Sequence, residues 1–136
     1  MLVIAPAVLE GMVAHCLDDA PLEACGLLAG AAPAEGPATA TRHFPATNAS
    51  GSARVYTVEP RDMLRADRAA EDSGLTILGV YHSHTHTDAY PSPTDVDAAP
   101  DPGWHYVLVS LRDVEPSVRS YRVVDRRIEE EPVAVQ

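Results

Sequence analysis

Residues 75–95 read LTILGVYHSHTHTDAYPSPTD. Leu75 to Tyr81 is a near-continuous apolar run that turns polar at His82. Such a run predicts a central strand buried on both faces, its C-terminal end emerging at a site. Side chains at i and i+2 of a strand point to the same side. His82 and His84 therefore share a side, where two imidazoles can hold one metal ion. Asp95 lies on the next turn of chain, where a carboxylate could close a three-ligand set. Three N/O ligands with a fourth position open describe a catalytic zinc site, whereas a structural site is closed, usually with Cys. The all-N/O set also argues against an iron–sulfur cluster.

The same residues have a plainer account. A His pair at a strand end is commonly polar rim. SPTD at 92–95 is a complete helix start, with Ser92 as N-cap, Pro93 at the first helical position and Asp95 where a capping-box acid belongs. The two accounts are compatible, because a ligand at a helix N-terminus can be held by its cap. Their co-occurrence within fourteen residues, His82 to Asp95, favours the metal.

Outward from this stretch, residues 6–18 predict a helix, with Val8, Leu9, Met12, Val13, Cys16 and Leu17 at helical spacing. Strands are expected at 24–30, 39–47 and 53–58. A second helix runs over 59–72, with Met63, Leu64 and Ala70 on its apolar face, and a short third helix starts near Pro93. Strands follow at 105–111 and 118–124, with an edge strand at 127–133. The order α-β-β-β-α-β-α-β-β-β gives an α/β or α+β fold, a mixed β-sheet flanked by helices. AAPAEGP at 31–37 and NASGS at 48–52 read as loops, the second flexible by composition. Both are too short to separate domains, so residues 1–136 form a single domain.

The chain carries 20 acids against 10 bases, a net charge of −10, and every base is Arg. Phosphate backbones and anionic lipid repel such a chain, which excludes nucleic-acid and membrane-surface binding. The first residues lack the basic region of a signal peptide, and no run reaches the length of a membrane span. The expected compartment is the cytoplasm, where Cys16 and Cys25 remain thiols. Cys25, at the head of an apolar strand, reads as a small core residue rather than a nucleophile. His43 and His105 lack partners at ligand spacing and read as structural, and Trp104 reads as packing. A zinc nucleobase deaminase would need H-x-E with P-C-x-x-C, and the chain has no C-x-x-C.

Glu23 with the ACGLLAG that follows it, His82-Ser83-His84, seven intervening residues and Ser92-Pro93-Thr94-Asp95 together resemble the signature of the JAMM/MPN-plus metallopeptidases. That pattern is a distant Glu, His-Ser/Thr-His, seven residues, Ser, two residues and Asp. Within the family the chain is most similar to short, stand-alone actinobacterial members that free cysteine from a sulfur-carrier protein. The similarity extends to DAPLEACGLLAG, YHSHTHTDAYPSPTDVDAA, HYVLVS and RSYRVVD. Thr85 departs from the pattern, since many members have Pro there, but that Pro ligates nothing.

The resemblance implies an MPN fold with cytidine-deaminase-like architecture. It implies that His82, His84 and Asp95 bind one Zn²⁺ per chain, that Glu23 moves the proton, and that Ser92 donates a hydrogen bond to the oxyanion. Read alone, Glu23 is a solvated surface charge; the resemblance alone joins it to His82. His86 continues the alternation but reads as a partly exposed loop residue, since Asp95 fills the third ligand position. The implied partner is a small ubiquitin-like sulfur carrier ending in Gly-Gly and extended by cysteine or another amino acid. Its tail would pair with the edge of the 53–58 strand. An isopeptidase that removes a ubiquitin-like modifier from lysines, and a non-catalytic MPN scaffold, are the alternatives. Oligomeric state stays open, a homodimer included.

Overall fold

The computed structural model describes residues 1–136. The elements are β1 (Leu2–Ile4), α1 (Pro6–Asp19), β2 (Cys25–Ala31), β3 (Ala38–Ala46), α2 (Pro60–Asp72), β4 (Thr76–His84), α3 (Pro93–Asp97), β5 (His105–Ser110), β6 (Ser117–Val124), β7 (Arg127–Glu131) and β8 (Val133–Val135). Eight strands form one mixed sheet in the order β7-β6-β5-β4-β2-β3-β1-β8. β4 lies at its centre, parallel to β5 and antiparallel to β2. The expected mixed sheet flanked by helices is what the chain forms.

The apolar run of β4 is buried on both faces, as its lack of alternation requires. On one face Tyr81 joins Leu28, Val107 and Val109 beneath Val8, Met12 and Cys16 of α1. On the other, Val80 joins Leu27, Leu108 and Tyr121 beneath Ala66 of α2. Adjacent residues of one strand thus feed two cores. Each large aliphatic side chain buried this way stabilises the fold by about 1.5–3 kcal/mol. A Cβ at Gly79 would lie 1.9 Å from the backbone oxygen of His105, so a side chain there would wedge β4 from β5.

Four expectations need correction. Residues 53–58 are not a strand; the segment makes only an isolated bridge, Asn48 to Val58. The Asn48 side chain takes the backbone groups a ladder would use, donating to the carbonyl of Val55 and accepting from the N–H of Thr57. A polar side chain here outcompetes sheet pairing, and the edge expected to pair with a substrate tail does not exist. The edge strand expected at 127–133 is divided at Pro132, which cannot donate to a ladder. β7 pairs with β6 at one end of the sheet, and β8 pairs with β1 at the other. Pro132 alone separates them, so the sheet curls until its two edges meet. β1 is an additional strand, parallel to both β3 and β8. Finally, Leu17 and Leu64 face solvent, while Ala66 and Ala70 form the buried face of α2. No helix is long and apolar enough to cross a membrane.

Candidate metal centre and active site

β4 ends at His84, and its alternation puts His82 and His84 on the same face. Both are buried, at 2% and 4% exposure. Their Nε2 atoms stand 3.2 Å apart. Asp95 Oδ2 lies 3.2 Å from His82 Nε2 and 3.1 Å from His84 Nε2, completing a near-equilateral triangle. Ligands about 2.1 Å from a tetrahedral zinc stand roughly 3.4 Å apart, so the triangle has the size of one face of such a site. His84 Nδ1 donates to the carbonyl of Asp88 at 2.8 Å, which leaves the lone pair of the neutral ring on Nε2, facing the centre. Three electron-rich atoms this close need a cation or a proton among them.

Asp95 reaches this position because it belongs to the helix cap. Its Oδ2 accepts from the backbone N–H of Ser92 at 2.9 Å, and Ser92 Oγ accepts from the N–H of Asp95 at 3.1 Å. Cap and convergence coexist, and the same oxygen serves both. Burial tends to raise the Asp95 carboxyl, but the hydrogen bonds to His82 and His84 outweigh it and hold the group well below the usual carboxylate range. Burial pushes His82 down, toward the neutral ring. Burial also acts to lower His84, but Asp95 and the Asp88 carbonyl outweigh it and raise the ring. Metal ligation would compete with protonation at these nitrogens. An ionised carboxylate and two imidazoles are the donor set a divalent zinc takes.

Glu23 stands beside this centre. It is 3% exposed, and its Oε1 is buried with no hydrogen-bond partner. A carboxylate oxygen of Glu23 lies within 4.8 Å of ring nitrogens of both His82 and His84. Glu23, His82 and His84 are thus also a geometrically allowed metal set. Asp95 Oδ2 stands closer, 3.2 Å from His82 Nε2 and 3.1 Å from His84 Nε2, while Glu23 is bonded to neither ring. Burial pushes the Glu23 carboxyl up to about 7, against a lowering pull from His84. A buried, unpartnered carboxyl is a costly feature, and its placement beside the triangle suits it to receive a proton.

The sequence reading has no account of what holds Glu23 there. The N–H of Glu23 donates to the carbonyl of Ser52 at 2.9 Å, and Asn48 Nδ2 donates to the carbonyl of Glu23 at 3.0 Å. The N–H of the next residue, Ala24, donates to Ser83 Oγ at 2.8 Å, and the N–H of Ser83 returns a bond to the Ala24 carbonyl. The serine between the two histidines thus pins the segment carrying Glu23 to the strand that carries them. Asn48 and Tyr56 are the site residues that sequence reasoning misses. Tyr56 stacks on the His82 ring at 4.2 Å between centroids and 23° between planes. It steadies a ring whose Nδ1 finds no hydrogen-bond partner. The aromatic within ARVYTV was the available signal, but it reads equally well as strand.

Glu23, His84 and Ser92 open onto one cleft of about 550 Å³. His86 lines this cleft too, with its Nδ1 on Thr85 Oγ1 at 2.7 Å, outside the converging triangle. Cys16 and Cys25 are free and buried, and burial pushes both thiols up to about 12, which keeps them from acting as nucleophiles. His105 is tied at 2.6 Å to Glu131, away from the site, and Trp104 packs against the α2-side core.

Residues 5–124 match the family described as prokaryotic homologs of the JAB domain. The chain is 48% identical over 136 residues to the CysO-cysteine peptidase of Mycobacterium tuberculosis, spanning 99% of this chain and 91% of the relative. It resembles the solution structure of a Desulfitobacterium hafniense protein with a TM-score of 0.92 at 31% identity, covering 100% of this chain and 93% of the other. A JAB1/MPN domain protein from Archaeoglobus fulgidus shares the fold, with a TM-score of 0.64 at 18% identity over 100% of this chain and 97% of that one. The chain belongs to the JAB/MPN-domain family, in its prokaryotic branch.

Proposed function

We propose that this chain is a zinc-dependent peptidase that cuts after the C-terminal Gly-Gly of a small ubiquitin-like sulfur carrier. It releases the amino acid attached there, cysteine foremost, and works in the cytoplasm with residues 1–136 as one catalytic domain. The observation that carries this reading is the triangle of His82, His84 and Asp95 with Glu23 unpartnered beside it. Likeness to a peptidase named for a CysO-cysteine substrate, along 99% of the chain, supports the substrate class.

His82, His84 and Asp95 would hold one Zn²⁺. When bound, the ion supplies Lewis acidity, polarising a carbonyl and bringing the pKa of a water to about 7. Glu23 takes the proton of the attacking water, for which a carboxyl poised near neutrality is suited. The water oxygen joins the carbonyl carbon of the last Gly, the C–N bond breaks, and Glu23 passes the proton to the leaving amine. Ser92 Oγ accepts from the Asp95 N–H, which leaves its own hydrogen free to donate to the oxyanion. Glycines at the cut suit a confined approach because they present no side chain. The products are a carrier ending in Gly-Gly and a free amino acid.

The test is incubation of zinc-loaded protein with a carrier extended by cysteine beyond its Gly-Gly, followed by mass spectrometry. The expected result is loss of one cysteine residue, abolished by chelation and restored by Zn²⁺. An intact adduct, or cuts at unrelated sites, contradicts the reading.

A further inference from the structure

Arg54 lines the cleft that holds Glu23, His84 and Ser92. It is the one Arg in that lining, and its guanidinium is unpaired. Elsewhere Arg65, Arg112, Arg119 and Arg126 each meet a carboxylate. What sets Arg54 apart is its place: Glu23 lines the same cleft without pairing to it, so the guanidinium is free to meet a ligand there.

The backbone of Arg54 is fixed relative to the base. Ser52 accepts the N–H of Glu23 on its carbonyl, and its hydroxyl oxygen accepts the N–H of Arg54 at 3.0 Å and that of Val55 at 3.3 Å. Asn48 holds the carbonyls of both Glu23 and Val55 at 3.0 Å. The segment bearing Arg54 is therefore keyed to the residue that would protonate the leaving amine.

The two kinds of substrate such a site can meet differ next to that amine. A single amino acid at a chain terminus carries a free α-carboxylate, its carboxyl carbon about 2.5 Å from the leaving nitrogen. A lysine side chain in an isopeptide bond presents only methylenes there. A carboxylate entering a protein of net charge −10 is disfavoured unless a local cation receives it. The planar fork of Arg matches a carboxylate with two parallel hydrogen bonds.

Building on the peptidase reading above, we infer that Arg54 binds the free α-carboxylate of the departing amino acid. It makes the site selective for chain termini over lysine-linked conjugates. The cleft thus has a carboxylate subsite on the leaving-group side, distinct from the Gly-Gly side.

The experiment uses the zinc-loaded protein and two carriers, identical except that the added C-terminal amino acid is a free acid in one and a carboxamide in the other. Wild type should cut the acid with a kcat/KM about 10- to 100-fold above the amide, the range for a hydrogen bond to a charged group. Arg54→Ala should bring that ratio close to one, and Arg54→Lys should restore part of it. The same ratio should appear in the affinities of the inactive Glu23→Gln protein for the two carriers. Equal rates on acid and amide in wild type, or an Arg54→Ala loss shared equally by both, overturns the subsite while leaving the peptidase reading intact. Cleavage of neither carrier overturns the peptidase reading, and the subsite with it.

Discussion

His82, His84 and Asp95 sit on one strand end and the first turn of the next helix, whereas Glu23 precedes β2 and reaches them only through the folded sheet. The triangle is held by local geometry: strand alternation, one capping box and the Asp88 carbonyl on His84. Glu23 is held by tertiary contacts. Ser83 fixes Ala24, Ser52 takes the N–H of Glu23, and Asn48 takes its carbonyl. The facing nitrogens of His82 and His84 and the Asp95 carboxylate meet one another, while Glu23 keeps a buried oxygen unpartnered. On the proposed reading, the difference makes metal binding and proton transfer separable. One half should survive damage to the other.

Glu23→Gln breaks the comparison most severely. It should keep its zinc and lose about 10²–10⁴-fold in kcat, since only the proton carrier is removed. Wild-type turnover in this variant would end the assignment. The same variant tests the cost of burying the base. The folded-state pKa of about 7 lies above the ordinary 4.5, so the unfolded chain sheds that proton first. Stability therefore falls as pH rises from about 4.5 to about 7. Without metal, Glu23→Gln should exceed wild type by about 3 kcal/mol at pH near 8 and show no advantage near pH 4 in thermal melts.

Asn48→Ala sharpens the comparison with a smaller effect. It removes the donor to Glu23 and the clasp on the 48–57 loop, and leaves the triangle untouched. Zinc content should stay at the wild-type level, kcat should fall about tenfold, and stability should drop by about 1–3 kcal/mol, the cost of orphaned hydrogen-bonding groups. Loss of zinc together with activity would show that the halves are not separable.

The convergence of His82, His84 and Asp95 was also the part legible in the chain. The spacing of His82 and His84 follows from strand periodicity, and SPTD announces both a cap and a carboxylate. The apolar run of β4 placed the central strand because nothing but burial on two faces explains it. The placement of Glu23 was opaque for physical reasons. No local rule joins Glu23 to His82, and only resemblance to a family links them. NASGS has the composition of a flexible loop, yet Asn48 makes it an anchored one through side-chain bonds that composition does not encode. Val55, Tyr56 and Val58 have strand propensity, but that propensity yields to the bonds Asn48 offers the same backbone. β1 is three residues long, too short for periodicity to declare, and it exists because the curled sheet gives it partners on both sides.

The central claim is that three atoms, from His82, His84 and Asp95, hold the metal and that Glu23 does not. Zinc per chain, measured by elemental analysis after dialysis, tests it directly in wild type, Asp95→Ala and Glu23→Gln. The account predicts about one zinc in wild type and in Glu23→Gln, and almost none in Asp95→Ala, as expected when an N/O set drops from three ligands to two. Retention of zinc by Asp95→Ala with its loss from Glu23→Gln would contradict the account, leaving Asp95 as a helix cap and Glu23 as the third ligand.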